Sequence, residues 1–472
     1  MNTQKRSKLI TTIGPASENE KTMKQLFEAG MTTIRLNFSH GDHEEQGARI
    51  VTAKKIREEL GLPISILLDT KGPEIRVGKF ADGKQPFEEG QKVTIFTDAE
   101  SYENKECKSG EMTVAYDMSQ DLKKGNVVLV DDGKLQLDVV EVKKGIVETI
   151  SRNHHVVKTN KRVNLPGVKF SMPFLAEKDI NDIKFGADQG VDFIAASFVN
   201  TPEDILEIRQ ILKEKNAEHI QIFAKIESQY AVDHFDEILK VTDGVMVARG
   251  DLGLEIPYYE VPVAEKMMIR KMREAGKPII VATQMLDSME GNPHPTRAEV
   301  TDVYVATEMG ADATMLSGES AAGEYPVQAT KVMSIINERA EREFYNKVYY
   351  TEYLKSLPEV KPGTRAFIAK EVTTKAKDGD FKWAVVLSRT GQLLTEVAKF
   401  RPNTNILGVT NDPKQTTQFG ITSSVFMSMD TTLFDAIKEN KEKAAEVAKK
   451  FGAKKGEKFL VVENEKIETF TV

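Results

Sequence analysis

The chain alternates extended and helical patterning, loses that alternation after Lys71, and regains it near Gly167. Lys8–Ile13 (KLITTI) is a strand pattern that stops at two breakers, Gly14-Pro15. Met23, Leu26 and Phe27 then recur at helical spacing. Thr32–Phe38, a helical stretch near Glu45–Leu60, and Ser65–Asp69 complete a β-α-β-α-β run, the signature of parallel sheet. From Lys71 to Asn164 the text is strand-like, turn-rich and poor in helix. Val127–Val130 runs through Asp131-Asp132-Gly133 into Leu135–Val142, which predicts a hairpin. Asn164-Leu-Pro-Gly167 marks the return. Helical Glu177–Ala187, strand Phe193–Val199, helical Glu203–Lys213 and strand Ile220–Glu227 follow. Gly244–Ala248, Pro278–Gln284 and Ala313–Ser317 bring the strands, counted on both sides of the interruption, to the number that closes a (β/α)8 barrel. A doubly wound sheet is the rival; the strand count with intervening helices favours closure. Past Arg339 the pattern changes again, with strands at Trp383–Leu387, Ile406–Val409, Ser424–Met427 and Phe459–Val462 and a last helix at Leu433–Phe451. The expected organisation is an α/β chain: residues 1–70 barrel, 71–164 an inserted all-β lid, 165–340 barrel again, 341–472 a separate α/β domain.

Composition narrows the function. The 472 residues carry 65 Lys+Arg against 72 Asp+Glu, a net charge of -7. That balance argues against general nucleic-acid binding, which needs a basic face. The single cysteine, Cys107, excludes an intrachain disulfide framework. The N-terminus MNTQKRSKLITTIG lacks a signal-peptide core and cleavage site, and no run approaches the roughly 18 apolar residues of a membrane span. A cytoplasmic location without membrane association is expected.

In a barrel of this kind the reactive groups sit where strands end. Here those ends are polar. Arg35, Asn37 and Ser39 follow the second strand at period 2 and share one side. Asp69 and Thr70 close the third, Lys225 and Glu227 the fifth. Arg249, Gly250 and Asp251 follow the sixth, Thr283 and Gln284 close the seventh, and Ser317 and Glu319 follow the eighth. Arg35 and Lys225 can hold a phosphoryl group, one as a fork and the other as a point charge. Glu227 and Asp251 can share a hard divalent cation with substrate oxygens. The backbone at Gly250, with no side chain in the way, lets N–H groups approach a carboxylate. Any one pair alone, such as Lys225 with Glu227, reads more readily as a rim salt bridge. Compatible groups at several strand ends favour a small, multiply anionic, metal-chelating substrate.

These same segments resemble the pyruvate kinase family. The matching motifs are Thr11–Ser17 (TTIGPAS), Arg35–Gly41 (RLNFSHG), Leu67–Arg76 (LLDTKGPEIR), Asn164–Gly167 (NLPG), Phe193–Val199 (FIAASFV), Ala224–Glu227 (AKIE), Val247–Gly253 (VARGDLG), Ala282–Met289 (ATQMLDSM), Pro295–Glu299 (PTRAE) and Met315–Ser320 (MLSGES). The resemblance implies phosphoryl transfer from phosphoenolpyruvate to ADP, giving pyruvate and ATP, by a homotetramer. It implies Arg35 and Lys225 as phosphate ligands, Glu227 and Asp251 as ligands of Mg²⁺ (or Mn²⁺), and Gly250, Asp251 and Thr283 as receivers of the substrate carboxylate. Asn37, Ser39, Asp69 and Thr70 resemble a K⁺ site, and Glu74 in GPEIR accompanies K⁺ dependence in the family. Asn37, Phe38, Ser39, His40, Arg76 and Lys161 would meet the nucleotide. The lid turn at Asp132 would close over the site. A water near Thr283, Ser317 and Glu319 is the expected proton source. Ser388, Thr390 and Gly391 resemble an effector-phosphate loop, whose alternative is a plain strand-to-helix turn with an N-cap.

The sequence departs from the family pattern in four places. Asn200 stands where SFV is commonly followed by Arg, and Arg162 precedes VNLPG where glycine is usual. Leu393 occupies a position often held by Ser or Thr, and Glu457–Val472 lacks the Trp- and Gly-rich loop of sugar-bisphosphate-activated members. An enolate-forming barrel lyase or mutase and a catalytically silent metabolite sensor are the rival functions. Arg76 and Lys161 on the lid argue against the first, and Lys225, Glu227 and Asp251 against the second.

Overall fold

A computed structural model describes residues 5–169 and 171–472. Residues 1–4, where the expected N-terminal reading and first domain begin, and Phe170 lie outside the described residues. Eight strands close the barrel: β1 (Lys8–Thr12), β2 (Thr33–Asn37), β3 (Ser65–Asp69), β4 (Phe193–Ala196), β5 (Gln221–Ile226), β6 (Gly244–Ala248), β7 (Ile279–Ala282) and β8 (Ala313–Leu316). Each pairs in parallel with its neighbours, and β1 pairs with both β2 and β8. Their residues are buried on both faces, as helices outside and packing inside require. The inner layer is Ile10, Leu67, Phe193, Phe223, Met246, Ile280 and Met315; the larger outer layer lies between strands and helices. The closed order excludes the doubly wound alternative.

Two strands stop earlier than their apolar runs predict, and the causes are local. The run Phe193–Val199 leaves the sheet after Ala196 because Ser197 N–H donates to Thr70 Oγ1 at 3.0 Å and Phe198, at φ 56°, donates to Glu227 at 2.6 Å. The run Pro278–Gln284 stops at Ala282 because Thr283 and Gln284 take φ of 66° and 53°. Left-handed backbone at a β-branched threonine is strained and costs about 1–3 kcal/mol.

The interruption is a separate β unit with its own apolar core. Its seven-stranded sheet runs Ile75–Arg76, Arg162–Asn164, Val127–Val130, Leu135–Lys143, Ile146–Ser151, Lys92–Phe96, Glu111–Thr113. The expected hairpin forms through Asp131, Asp132 and Gly133, all at positive φ. The turn reaches the barrel: a Cβ on Gly133 would stand 3.3 Å from Leu254.

The last unit is a five-stranded sheet with Asn405–Val409, Trp383–Leu387 and Lys458–Glu463 at its centre. Two details differ from expectation. The helix expected over Leu433–Phe451 is broken at Asn440, whose extended backbone separates Leu433–Glu439 from Ala444–Lys450 and whose side chain caps the next turn. The chain then ends on an antiparallel strand, Lys466–Thr471, too polar and exposed to show a core pattern. This unit lies under the barrel's N-terminal ends. Gly420 O accepts from the Thr32 and Thr33 hydroxyls at 2.9 and 3.0 Å, and Ser65 Oγ donates to Thr417 O at 2.5 Å. No helix among the described residues is long and apolar enough to cross a membrane.

Candidate active site

The C-terminal ends of β2, β3 and β5 bring together a buried cluster of charges. Register sets it: Arg35 sits opposite Leu67 and Asn37 opposite Asp69. Arg35 Nε donates to Asp69 Oδ2 at 2.6 Å, and its NH1 to Thr12 Oγ1 at 2.8 Å. Lys225 Nζ donates to Asp69 Oδ1 at 3.0 Å and Ser197 Oγ at 2.7 Å, and stands 3.2 Å from Glu227 Oε1. Asp69 thus orients both cations. Burial opposes its charge, but Arg35 and Lys225 outweigh that and hold its carboxyl below the usual range. Burial also works against Lys225, yet Asp69 and Glu227 raise its ammonium to about 12. It is a fixed charge at neutral pH.

Glu227 is 0% exposed. Oε2 accepts from Phe198 N–H at 2.6 Å, while Oε1 makes no hydrogen bond, because its approach to Lys225 lacks the alignment for one. Burial pushes the carboxyl up to about 7; Lys225 pulls it down and nearby Asp251 pushes it further up. A buried carboxylate oxygen without a partner costs free energy unless a cation completes it. Glu227 and Asp251 therefore fit a hard divalent cation. No cluster of three or more metal-binding side chains occurs among the described residues, so such a cation would keep positions open for substrate oxygens.

Asp251 and Gly250 are not in an open loop, as expected, but in the first turn of a short helix, Arg249–Glu255. Nor is the Gly250 N–H free: it donates to Thr283 Oγ1 at 2.8 Å, and that hydroxyl donates to Ala282 O at 2.6 Å. A substrate carboxylate would replace or share the threonine bond. Arg249 points away from the pocket. It pairs with Asp302 at 2.6 Å and donates to the Thr283 and Gln284 carbonyls at 2.9 and 3.3 Å, which pins the strained turn.

Phe38 is buried against Phe185, at a centroid distance of 6.1 Å, so only its backbone is available to a nucleotide. Ser39 and His40 lie in a turn where Asn37 Oδ1 accepts from Ser39 N–H at 3.1 Å. Thr70 O accepts from Ser197 Oγ at 2.6 Å. Asn37, Ser39, Asp69 and Thr70 present only oxygen ligands, which suits a hard monovalent cation. Glu319 is no open proton carrier: its two oxygens accept from Leu286 N–H at 3.1 Å and Ser317 N–H at 2.7 Å, bracing two loops. The Ser317 hydroxyl is buried and unpartnered.

The lid contributes Arg76 and Lys161 near its return strand, where Lys161 O accepts from Val77 N–H at 2.8 Å. Lys161 Nζ pairs with Asp131 at 2.8 Å, and Arg76 pairs with Glu74 at 2.7 Å. His155 also binds Asp131, at 2.9 Å. Arg162 spans Glu74, at 2.5 Å, and Asp251. Ser197, Thr12 and this arginine hold the site together, and sequence reasoning missed them as site residues. The signal for Arg162 was its departure from glycine; Ser197 and Thr12 carried none. In the last unit, Ser388, Thr390 and Leu393 line a cavity of about 690 Å³ with Arg365, Arg389 and Lys438. Gly391, at φ 76°, is the N-cap there without a side-chain cap bond, so the Ser/Thr-capped turn does not form.

Fold and site define a lidded (β/α)8-barrel enzyme with a buried cluster of paired charges at its strand ends. Two family models match the chain: pyruvate kinase, barrel domain, over residues 4–330, and pyruvate kinase, alpha/beta domain, over 366–471. The pyruvate kinase of Bacillus licheniformis is 44% identical over 425 residues, covering 89% of this chain and 71% of that protein. Those of Clostridium acetobutylicum and Mycoplasma pneumoniae are 43% and 42% identical, over 87% and 89% of this chain and 85% and 89% of theirs. The chain belongs to the pyruvate kinase family, and pyruvate kinase activity is its function.

Proposed function

We propose that the buried Arg35–Asp69–Lys225–Glu227 cluster carries phosphoryl transfer from phosphoenolpyruvate to ADP, yielding pyruvate and ATP. The observation behind this is Glu227 Oε1, an acid oxygen buried without a hydrogen bond beside a fixed ammonium. Arg35 and Lys225 grip the phosphoryl oxygens, and Lys225 also neutralises the developing enolate oxygen. Glu227 and Asp251 would hold Mg²⁺ or Mn²⁺, which when bound supplies charge neutralisation on those oxygens. Gly250, Asp251 and Thr283 receive the substrate carboxylate. Asn37, Ser39, Asp69 and Thr70 would hold K⁺, with Glu74 nearby on the lid hinge. The nucleotide meets the Asn37, Phe38, Ser39 and His40 backbone and the Arg76 and Lys161 side chains. The lid turn at Asp132 excludes water from the transferring group. Thr283 and Ser317 hydroxyls order the water that protonates the enolate carbon.

The residues also support a wider reading. The chain divides at 1–70, 71–164, 165–340 and 341–472. Exposed Tyr258 (81%), Val348 (73%) and Tyr349 (62%) suit burial between copies of a homotetramer. Arg365, Arg389 and Lys438 around Ser388, Thr390 and Gly391 suit a phosphorylated effector. The protein works in the cytoplasm, without nucleic acid or membrane. The test is pyruvate release from phosphoenolpyruvate with Mg²⁺, with and without ADP, in K⁺ and then Na⁺. ADP-dependent release that rises in K⁺ is expected. Release without ADP overturns the residue assignments in favour of a lyase or phosphatase, and equal rates in the two salts remove the K⁺ site.

A further inference from the structure

Arg162 has no role in the reading above, yet its side chain enters the site. It opens the last lid strand, opposite Arg76 in register, and its carbonyl accepts from Asp131 N–H at 3.0 Å. Its backbone belongs to the lid. Its side chain leaves the lid: NH2 donates to Glu74 Oε1 at 2.5 Å and NH1 to Asp251 Oδ1. The guanidinium carbon lies 6.0 Å from the centre of the ring of Phe198, whose own amide holds Glu227. Glu74 is fixed independently, since Arg76 donates to its other oxygen at 3.0 and 2.7 Å. One end of the bridge is therefore a braced lid carboxylate. The other is Asp251, on the barrel, close enough to Glu227 for their charges to oppose each other.

A guanidinium is a permanent cation with five donors and no acceptor. On Asp251 it takes an oxygen that a divalent cation needs, and its charge repels any cation placed between Asp251 and Glu227. We propose that Arg162 is a latch on the divalent-cation site: it ties the lid to Asp251 before metal binds, and the metal displaces it. The proposal rests on reading Asp251 as a metal ligand. It has two consequences. The latch weakens metal binding to the free enzyme, and metal loading frees the lid hinge. Glu74 keeps the displaced guanidinium at the rim. A glycine or a short neutral side chain at this position could do neither.

The test uses the full chain without substrates. Mn²⁺ binding is followed by the spin-resonance signal of the free ion, and hydrogen exchange is followed over residues 159–164. Arg162→Gln is expected to bind Mn²⁺ at least tenfold more tightly than the parent. Arg162→Lys, which keeps the charge but cannot span both carboxylates, falls between them. In the parent, Mn²⁺ speeds exchange in 159–164; in Arg162→Gln exchange there is already fast and ignores Mn²⁺. Equal affinity, or weaker binding in Arg162→Gln, overturns the latch. Asp251→Asn separates the two readings. If it loses Mn²⁺ at least tenfold while Arg162→Gln is unchanged, the metal site stands and the latch falls. If it binds Mn²⁺ as the parent does, both fall.

Discussion

The two ends of the barrel bury similar charges and treat them differently. At the N-terminal end each buried acid is closed by protein. Asp312 accepts from Ser423 N–H at 3.0 Å and Ile279 N–H at 3.2 Å and pairs with Arg401 at 2.9 Å. Asp192 accepts from Ile66 N–H at 2.7 Å and Arg57 at 3.0 Å, and also from Thr417. Unpartnered atoms remain there too, the Nε atoms of Arg57 and Arg401 and the Ser424 hydroxyl, but none belongs to an acid. At the C-terminal end, Glu227 keeps an open oxygen, Thr283 keeps strained backbone, and Arg35 and Lys225 crowd one aspartate. The acids of the lower end are complete as they stand. The upper end is complete only with ligand, and that incompleteness is what a site looks like in physical terms.

The largest test of this contrast is Lys225→Met. Removing the cation that touches Asp69 and Glu227 should lower pyruvate formation by about 100–1000-fold. Arg35 still pairs Asp69, so the circular dichroism spectrum and cooperative unfolding should persist. Asp312→Ala is the mirror experiment at the other end. It leaves Arg401 buried without its partner and should lower stability by about 3–5 kcal/mol in urea unfolding. The rate per folded molecule should stay within about twofold, since Asp312 immediately precedes β8, at the end far from the chemistry. Lost activity with kept stability in Asp312→Ala would dissolve the distinction between the ends.

Much of this contrast was legible in the sequence, for reasons that also mark its limits. Strand periodicity carried the barrel because β6 and β7 are apolar along their whole length. Arg35, Asp69, Lys225, Glu227 and Asp251 were legible because charged residues at the ends of such strands have nowhere to go but the barrel mouth. What was hidden is the partner of each charge. Ser197 reads as the tail of an apolar strand until its hydroxyl is found between Lys225 and Asp69. Glu319 reads as an acid at the mouth, yet two amides from neighbouring loops consume it. Phe38 reads as part of a polar turn, yet its ring faces Phe185 on a helix far along the chain. Each of these depends on contacts that no local pattern encodes. Arg162 sits between the two cases: its oddity was visible, but its reach to Asp251 required the lid's position.

Glu255 offers the smallest and finest test, because it shows the upper end holding a buried acid without any cation. Its carboxyl is buried and accepts only from Asn164 Nδ2, at 3.1 Å, which joins the helix after β6 to the lid's return strand. Burial pushes its pKa from 4.5 to about 7; the Asn164 bond pulls down and Asp251 pushes up. The folded pKa lies above the unfolded one, so the protonated acid is the form that folding favours. Its contribution is fully present below about pH 4.5 and is lost as pH rises towards 7. Above that, the folded protein carries a buried charge with a neutral partner. Glu255→Gln keeps the shape and removes the charge. It should raise stability at pH 8 by about 1–3 kcal/mol and leave it nearly unchanged at pH 4.5. Denaturation at the two pH values reads the difference directly. A gain of the same size at both would trace the effect to packing. A loss at pH 8 would mean that a cation already sits beside Glu255, and that the upper end is more nearly closed than the contrast with Asp312 allows.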